Sequence, residues 1–291
     1  MYKNKKLVIT IFLMPALLLY TMNVIYPMFA SIFYSLFKWD GVSAMKFINF
    51  GNYIELFSDK AFYKASLNTM YLVIGSCVFQ VFVGLLLAVI LVNEIKGFKF
   101  FRTIFFFPVT ISAVSIALMF SLIYEPRSGL LNTFLRSVGL ERLTMFWLSD
   151  TKIVIFPAIF PQIWQYIGLV VVILLAALMG IPSDIIEYSS IDGLRGFKRI
   201  FHLYIPLTWE AIQICIVLAV TGSLKGFEHI YILTEGGPLQ SSEIWATYMY
   251  NTVFKAMKFG YGSTITFVIL ITGFLFTVLF KKYFSGERVE Y

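Results

Sequence analysis

The chain has 291 residues, of which 59% are apolar types and 13% are charged, with a formal net charge of +7. Soluble globular chains carry roughly 45–50% apolar and about 25% charged residues, and a water-soluble domain has too little interior to hide this much apolar surface. An ordinary soluble enzyme, a disordered chain and a secreted disulfide mini-protein are thereby excluded. Cys77 and Cys215 are the two cysteines, and both sit in apolar runs, which supports neither a disulfide framework nor a cysteine zinc site.

In chain order, the basic start Lys3, Lys5 and Lys6 leads into the uncharged run Leu7–Phe37. At 31 residues that run is too long for a secretory signal, whose apolar core is about 7–15 residues, and reads as a first span. The connection 38–64 holds Trp39-Asp40-Gly41 and Phe50-Gly51-Asn52-Tyr53, read as turn and packing residues. Further uncharged runs are Ala65–Asn93, Thr103–Tyr124, Ile153–Ser183 and Phe259–Phe280, and Leu203–Leu224 carries one acid, Glu210. A spanning helix needs about 20 such residues, whereas barrel strands are about ten residues of alternating polarity. The pattern predicts an all-α membrane protein with six transmembrane helices. Pro15, Pro27, Pro108, Pro157 and Pro161 mark expected kinks or helix starts.

Between spans, Leu130, Leu131, Phe134, Leu135 and Val138 recur at helical spacing, as in an amphipathic helix at the membrane interface or a packed loop helix. Residues 234–238, TEGGP, read as a turn whose two glycines allow positive φ before a proline. With six spans both termini share a side, which also holds 94–102 and 180–202. Lys and Arg, among them Lys96, Lys198, Lys281 and Arg288, are about twice as dense there as on the other side, so that side is expected to be cytoplasmic.

The most informative connection is 181–206, on the cytoplasmic side. Pro182 suits a helix start, Ser183 can cap it, and Asp184 and Glu187 place negative charge at its positive end. Ile185, Ile186 and Ser189 or Ser190 can share a face, and Asp192-Gly193 reads as the stop, with Gly193 left-handed. Arg195, Lys198 and Arg199 follow, interleaved with Phe197, Ile200 and Phe201, before re-entry at Pro206. On its own the segment reads either as a basic connector or as a lever that docks on a cytoplasmic partner.

Glu187, Asp192, Gly193, Ile205 and Pro206 resemble the Glu-Ala-Ala loop of ABC importer permeases, with Tyr188 and Ser189 where the pattern has two alanines. KGFEHIYILTEGGP (225–238), FGYGSTIT (259–266), the stretch 12–40, FGNYIELF (50–57) and GLLNTFLRSVGL (129–140) are similar to segments of the carbohydrate-uptake permeases, of the type resembling the larger maltose permease partner. The resemblance implies a type I importer transmembrane domain over 65–281, preceded by an N-terminal helix and extracellular connection (1–64) and followed by a cytoplasmic tail (282–291). It implies a second permease subunit, a cytoplasmic ATPase that holds ATP and Mg, and an extracellular solute-binding protein that delivers a saccharide. Helix 182–193 would be the coupling helix, with Ile185, Glu187, Ser190, Asp192 and Gly193 as ATPase-coupling residues. This chain itself is expected to bind no cofactor, to catalyse nothing and to sit multi-pass in the cell membrane among lipid.

The chain has no GxxxxGK[ST] loop, so ATP-driven work must come from a partner. Polar groups in hydrocarbon are costly and often mark pathways, which makes Asn68, Gln80, Trp164, Gln165, Tyr166 and Gln213 candidates for the substrate path, with Glu210 and Lys225 near the ends of their span. His202 and His229 read as loop or packing residues. An ion-coupled secondary transporter of a small polar solute is the alternative, but it would normally show internal repeats and deep charges. A membrane enzyme would need HExxH, GxSxG or paired carboxylates in one span, which are absent, and nucleic-acid binding has no support beyond the charge.

Overall fold

The structure, a computed structural model, describes residues 5–92 and 97–284. Lys3, Asn93, Lys96, Arg288 and the tail beyond 284 lie outside the described residues. Helices and strands follow in the order α1 (Ile9–Tyr34), β1 (Phe37–Lys38), β2 (Lys46–Phe47), α2 (Gly51–Ser58), α3 (Lys60–Val92), α4 (Phe98–Thr110) and α5 (Ala113–Ile123). Then come α6 (Leu130–Ser137), α7 (Ile155–Met179), α8 (Ser183–Ile191), α9 (Trp209–Leu224), α10 (Glu228–Thr234), α11 (Trp245–Tyr250) and α12 (Phe259–Phe284). Among the described residues, five helical stretches are long and apolar enough to cross a membrane, and the bent pair α4–α5 brings the number to six.

That pair bears out the kink expected at Pro108 and shows how sharp it is. The run Thr103–Tyr124 is not a straight span: α4 begins earlier, at Phe98, and the chain bends by 98° between Thr110 and Ala113. Pro108 lies inside α4, two residues before its end, and its missing N–H leaves the carbonyl four residues back without its helical donor. Two other prolines act more gently. Wide π-type turns at Thr21–Ile25 and Ile200–Tyr204 end two residues before Pro27 and Pro206, where the missing N–H removes a helical bond. The last helix runs on through Phe284, past the expected start of the tail.

By packing, the chain forms two compact units. The first comprises Met1–Phe62 and Met249–Ile271. Here β1 pairs antiparallel with β2, Phe37 opposite Phe47. Asp40 closes the turn between them: its Oδ1 accepts from the Val42 and Ser43 amides at 3.0 and 2.7 Å and from Ser43 Oγ at 2.8 Å. These donors, Val42 first, hold the exposed Asp40 carboxyl down at about 2 from an ordinary 3.8. Asn52, buried, donates to the Ser35 and Phe37 carbonyls at 2.8 and 2.9 Å. Gly260 lies so near that a Cβ there would stand 1.9 Å from the Phe37 oxygen. Its amide in turn donates to Trp39 O at 3.1 Å.

The second unit comprises Tyr63–Tyr248 and Thr272–Tyr291. Its largest core joins α3, α7 and α9 through Leu85, Leu91, Val171, Leu174, Leu178, Ile212 and Cys215. Lipid is as apolar as leucine, so such helices associate by close packing at small residues rather than by water exclusion. Gly84 meets Val170, where a Cβ would come within 2.6 Å of Val170 Cγ1, and Gly168 meets the α4 backbone. A second cluster, Leu72, Ile155, Ile159, Ile163, Ile230 and Ile244, ties α3 and α7 to α10. The segment after α9 was expected as an external connection, yet α10 packs inward: His229 and Ile230 are buried. In the TEGGP turn the positive φ values fall on Glu235 (51°) and Gly236 (90°) rather than on both glycines.

Candidate functional site

In the second unit α3, α7, α9 and the start of α10 enclose a cavity of about 320 Å³. Gln162, Tyr166 and Leu169 line it from one face of α7, Gln80 from α3, Gly222 and Ser223 from the end of α9, Gly226 from the break after it, and Glu228 and His229 from the start of α10. Helical spacing explains the α7 set, because residues three or four apart share a face. The break exposes backbone: α9 ends at Leu224 and α10 starts at Glu228. Such irregular backbone is tolerated at membrane depth where it is buried in protein or lines a cavity.

The polar groups here are unevenly satisfied. Gln162 Nε2 donates to Gly222 O at 3.4 Å, whereas Gln162 Oε1 is buried with no hydrogen-bond partner. Gly226 is needed beside it, since a Cβ would stand 2.6 Å from that oxygen. Gln80 donates to Ser76 Oγ at 3.4 Å. Lys225 and Glu228, of opposite charge, both line the cavity. The wall therefore mixes an aromatic ring, amides, a hydroxyl and balanced charge, chemistry suited to a neutral, hydroxyl-rich solute.

Of the residues singled out from sequence as pathway candidates, Gln80, Tyr166 and Lys225 line this cavity and five others do not. Asn68 Nδ2 donates to Ser241 O and Glu243 O at 2.9 and 2.8 Å, pinning the loop after α10. Trp164 points to the opposite side of α7, its ring 5.7 Å edge-on from Phe120. Gln165 Nε2 donates to Pro108 O (3.3 Å) and Ile111 O (2.9 Å), and its Oε1 pairs with His229 Nε2 at 2.6 Å. Gln213 Nε2 donates to Phe284 O at 2.5 Å, at the end of α12, and Glu210 lies in the first turn of α9. Sequence reading missed Gln162, Ser223, Gly222, Gly226 and Glu228. For Gln162 a signal existed: it stands one helical turn before Tyr166 in an uncharged run.

A second site is α8 and its turn. Pro182, extended at φ −55° and ψ 137°, is the residue before the helix, and Ser183 is its first residue. Ser183 makes no capping bond, but reaches the Asp184 carboxylate at 3.4 Å. Ile185 and Ile186 pack on the large core, and Ser189 is buried, so this face is the inner one. Glu187, Tyr188, Ile191 and Asp192 face outward, with Tyr188 67% and Ile191 81% exposed. Among the expected coupling residues, Glu187, Asp192 and Gly193 are thus exposed, while Ile185 and Ser190 are half-buried. Gly193 is left-handed at φ 75°, which lets the Leu194 amide return to Ser189 O at 2.9 Å. Phe197 and Phe201, 73% and 60% exposed, extend the apolar surface.

Residues 80–286 match the family of binding-protein-dependent transport system inner membrane components. The chain is 38% identical to "Probable ABC transporter permease protein YurN" of Bacillus subtilis (strain 168), over the whole of both chains. It is 30% identical to the "Multiple sugar-binding transport system permease protein MsmF" of Streptococcus mutans serotype c, covering 89% of each. Its fold is that of a chain in the crystal structure of a bacterial alginate ABC transporter in complex with alginate pentasaccharide-bound periplasmic protein, with a TM-score of 0.82 at 22% identity, covering 96% of this chain and 94% of that one. The matched span takes in the end of α3, the cavity-lining helices α7, α9 and α10, and the α8 turn, and the chain belongs to the family of binding-protein-dependent transport system inner membrane components.

Proposed function

We propose that this chain is one permease subunit of an ATP-driven importer and forms half of the path for a saccharide delivered by an extracellular solute-binding protein. The observation that carries the reading is the polar cavity between α3, α7 and α9, with the buried acceptor Gln162 Oε1 at its wall. A buried acceptor without a donor is costly, and a sugar hydroxyl supplies one. The ring of Tyr166 offers an apolar face, and the balanced Lys225 and Glu228 favour a solute without net charge. The names of relatives that transport sugars support the same class.

The partners follow from what this chain lacks. Its sequence has no phosphate-cradling loop, so ATP and Mg belong to a cytoplasmic ATPase that seats the exposed face of α8. A second permease completes the path. Helix α1, whose most apolar stretch is 0% buried, offers its surface to that subunit and to lipid. Both termini and α8 then lie in the cytoplasm, on the side with denser Lys and Arg. Closure of the ATPase would move α8, and α7 and α9 would carry the motion to the cavity.

The test is uptake of labelled oligosaccharides into proteoliposomes that hold the complete complex with its binding protein. Gln162→Leu is expected to lower uptake about tenfold while ligand-independent ATP hydrolysis persists, the cost of about one hydrogen bond to a buried acceptor. Full uptake by that variant would remove the cavity from the path. Uptake driven by an ion gradient without ATP would instead favour a secondary transporter.

A further inference from the structure

We propose that Arg199 is a positioning residue that locks the angle between α8 and the segment 197–207, so that a push on α8 is transmitted rather than absorbed by the turn. The inference deepens the proposed importer function and rests on that reading for its functional half.

The turn between the two elements is built to bend. It contains two glycines at positive φ, Gly193 (75°) and Gly196 (54°), and a Cβ on either would meet nothing within 4 Å. Glycine has the widest backbone freedom, and no neighbouring side chain props up these two. One side chain reaches across. Arg199 Nη2 donates to Ser190 Oγ at 2.7 Å, and Arg199 Nε donates to Leu194 O at 3.1 Å. Ser190 Oγ in turn donates to Ile186 O at 3.0 Å, so the chain of bonds runs from the body of α8 to Arg199. A planar guanidinium holds its donors in a rigid fork, whereas the three donors of an ammonium rotate on a flexible stem. Its charge also sits at the C-terminal end of α8, where the helix dipole favours a cation. Ile200 and Leu203, just beyond Arg199, pack on the large core. Arg199 therefore fastens the outer end of the lever to a segment that is itself held by the core. In this geometry Ser190 acts inward on Arg199, and its hydroxyl is not part of the docking face.

Two measurements test this. Spin labels on Tyr188→Cys and Phe201→Cys, in the full chain with Cys77→Ser and Cys215→Ala, read the spread of distances across the turn. A narrow distribution is expected, broadening in Arg199→Gln and less so in Ser190→Ala; equal widths in all three overturn the lock, whatever the chain transports. In the reconstituted importer, the saccharide moved per ATP hydrolysed should fall about three- to tenfold in Arg199→Gln, with the ATPase still co-purifying and Arg199→Lys intermediate. A parallel fall of uptake and hydrolysis, or an unchanged ratio, overturns the transmission role. Should Arg199→Gln fail to assemble, Arg199→Lys and Ser190→Ala decide by the same ratio. Absence of ATP-driven uptake in the unaltered complex would refute the importer reading and leave the spin-label result standing.

Discussion

At Gly168 two backbones meet. A Cβ at this position would lie 1.9 Å from Phe105 O and 2.7 Å from its carbonyl carbon, both rigid parts of α4. Gly168→Ala must push α4 from α7, and overpacking of this kind costs about 1–3 kcal/mol. A lower midpoint of thermal unfolding in detergent is expected; a midpoint equal to that of the unaltered chain would mean the helices are not this close. Asp40 gives a pH prediction. Its carboxyl is held at about 2, below its ordinary 3.8, so its support of the turn is complete above 3.8 and fades as pH falls toward 2. The indole of Trp39, which donates to Ser43 O at 3.0 Å, reports the turn. Its N–H resonance should titrate with a midpoint near 2, and Asp40→Asn should abolish the titration. A midpoint at 3.8 would contradict the hydrogen bonds. Asp40 was legible in sequence as a turn residue, but its set of donors and the close approach at Gly168 were not, because both depend on which neighbours the fold brings near.

Among the elements, the long ones were readable, and of the short ones α6 and α8 were while α2, α10 and α11 were not. The uncharged runs announce α1, α3, α7, α9 and α12, because lipid demands about 20 apolar residues in succession. The 98° bend between α4 and α5 left a weaker trace, since Pro108 is one of several prolines and most of them bend nothing sharply. Glu228–Thr234 was hidden by Glu228 and the flanking Lys225 and Glu235, which read as an external connection although the helix turns back into the core. The α8 region was legible because helix stops have strong local chemistry. Its stop yields a prediction: Gly193 is left-handed at 75° with open space around it, so Gly193→Val meets backbone strain alone. A left-handed non-glycine residue costs about 1–2 kcal/mol, enough to shift the turn but not to prevent membrane insertion. Normal amounts of inserted chain with reduced ATP-driven uptake are expected, and unchanged uptake would count against the lever.

For the molecule as a whole, composition sufficed to put the chain in a membrane, and the order of several sequence blocks sufficed to suggest its family. The cavity did not emerge from sequence because three separated segments each contribute one face to it. Polarity within a span marked Gln80 and Tyr166, which line it, but equally marked Asn68 and Gln165, whose amides hold backbone. That second role has a consequence of its own. The break between α4 and α5 leaves carbonyls that lipid cannot solvate, and an unmet group there costs several kilocalories per mole. The Gln165 amide meets Ile111 O at 2.9 Å and adds a second donor to Pro108 O, which already accepts from the Ile111 amide, while its oxygen holds His229. To slide past α4, helix α7 would have to take its donor from Ile111 O and release α10 at the same time. These bonds tie α4, α7 and α10 together, so the three are expected to travel as one block whenever the cavity changes shape.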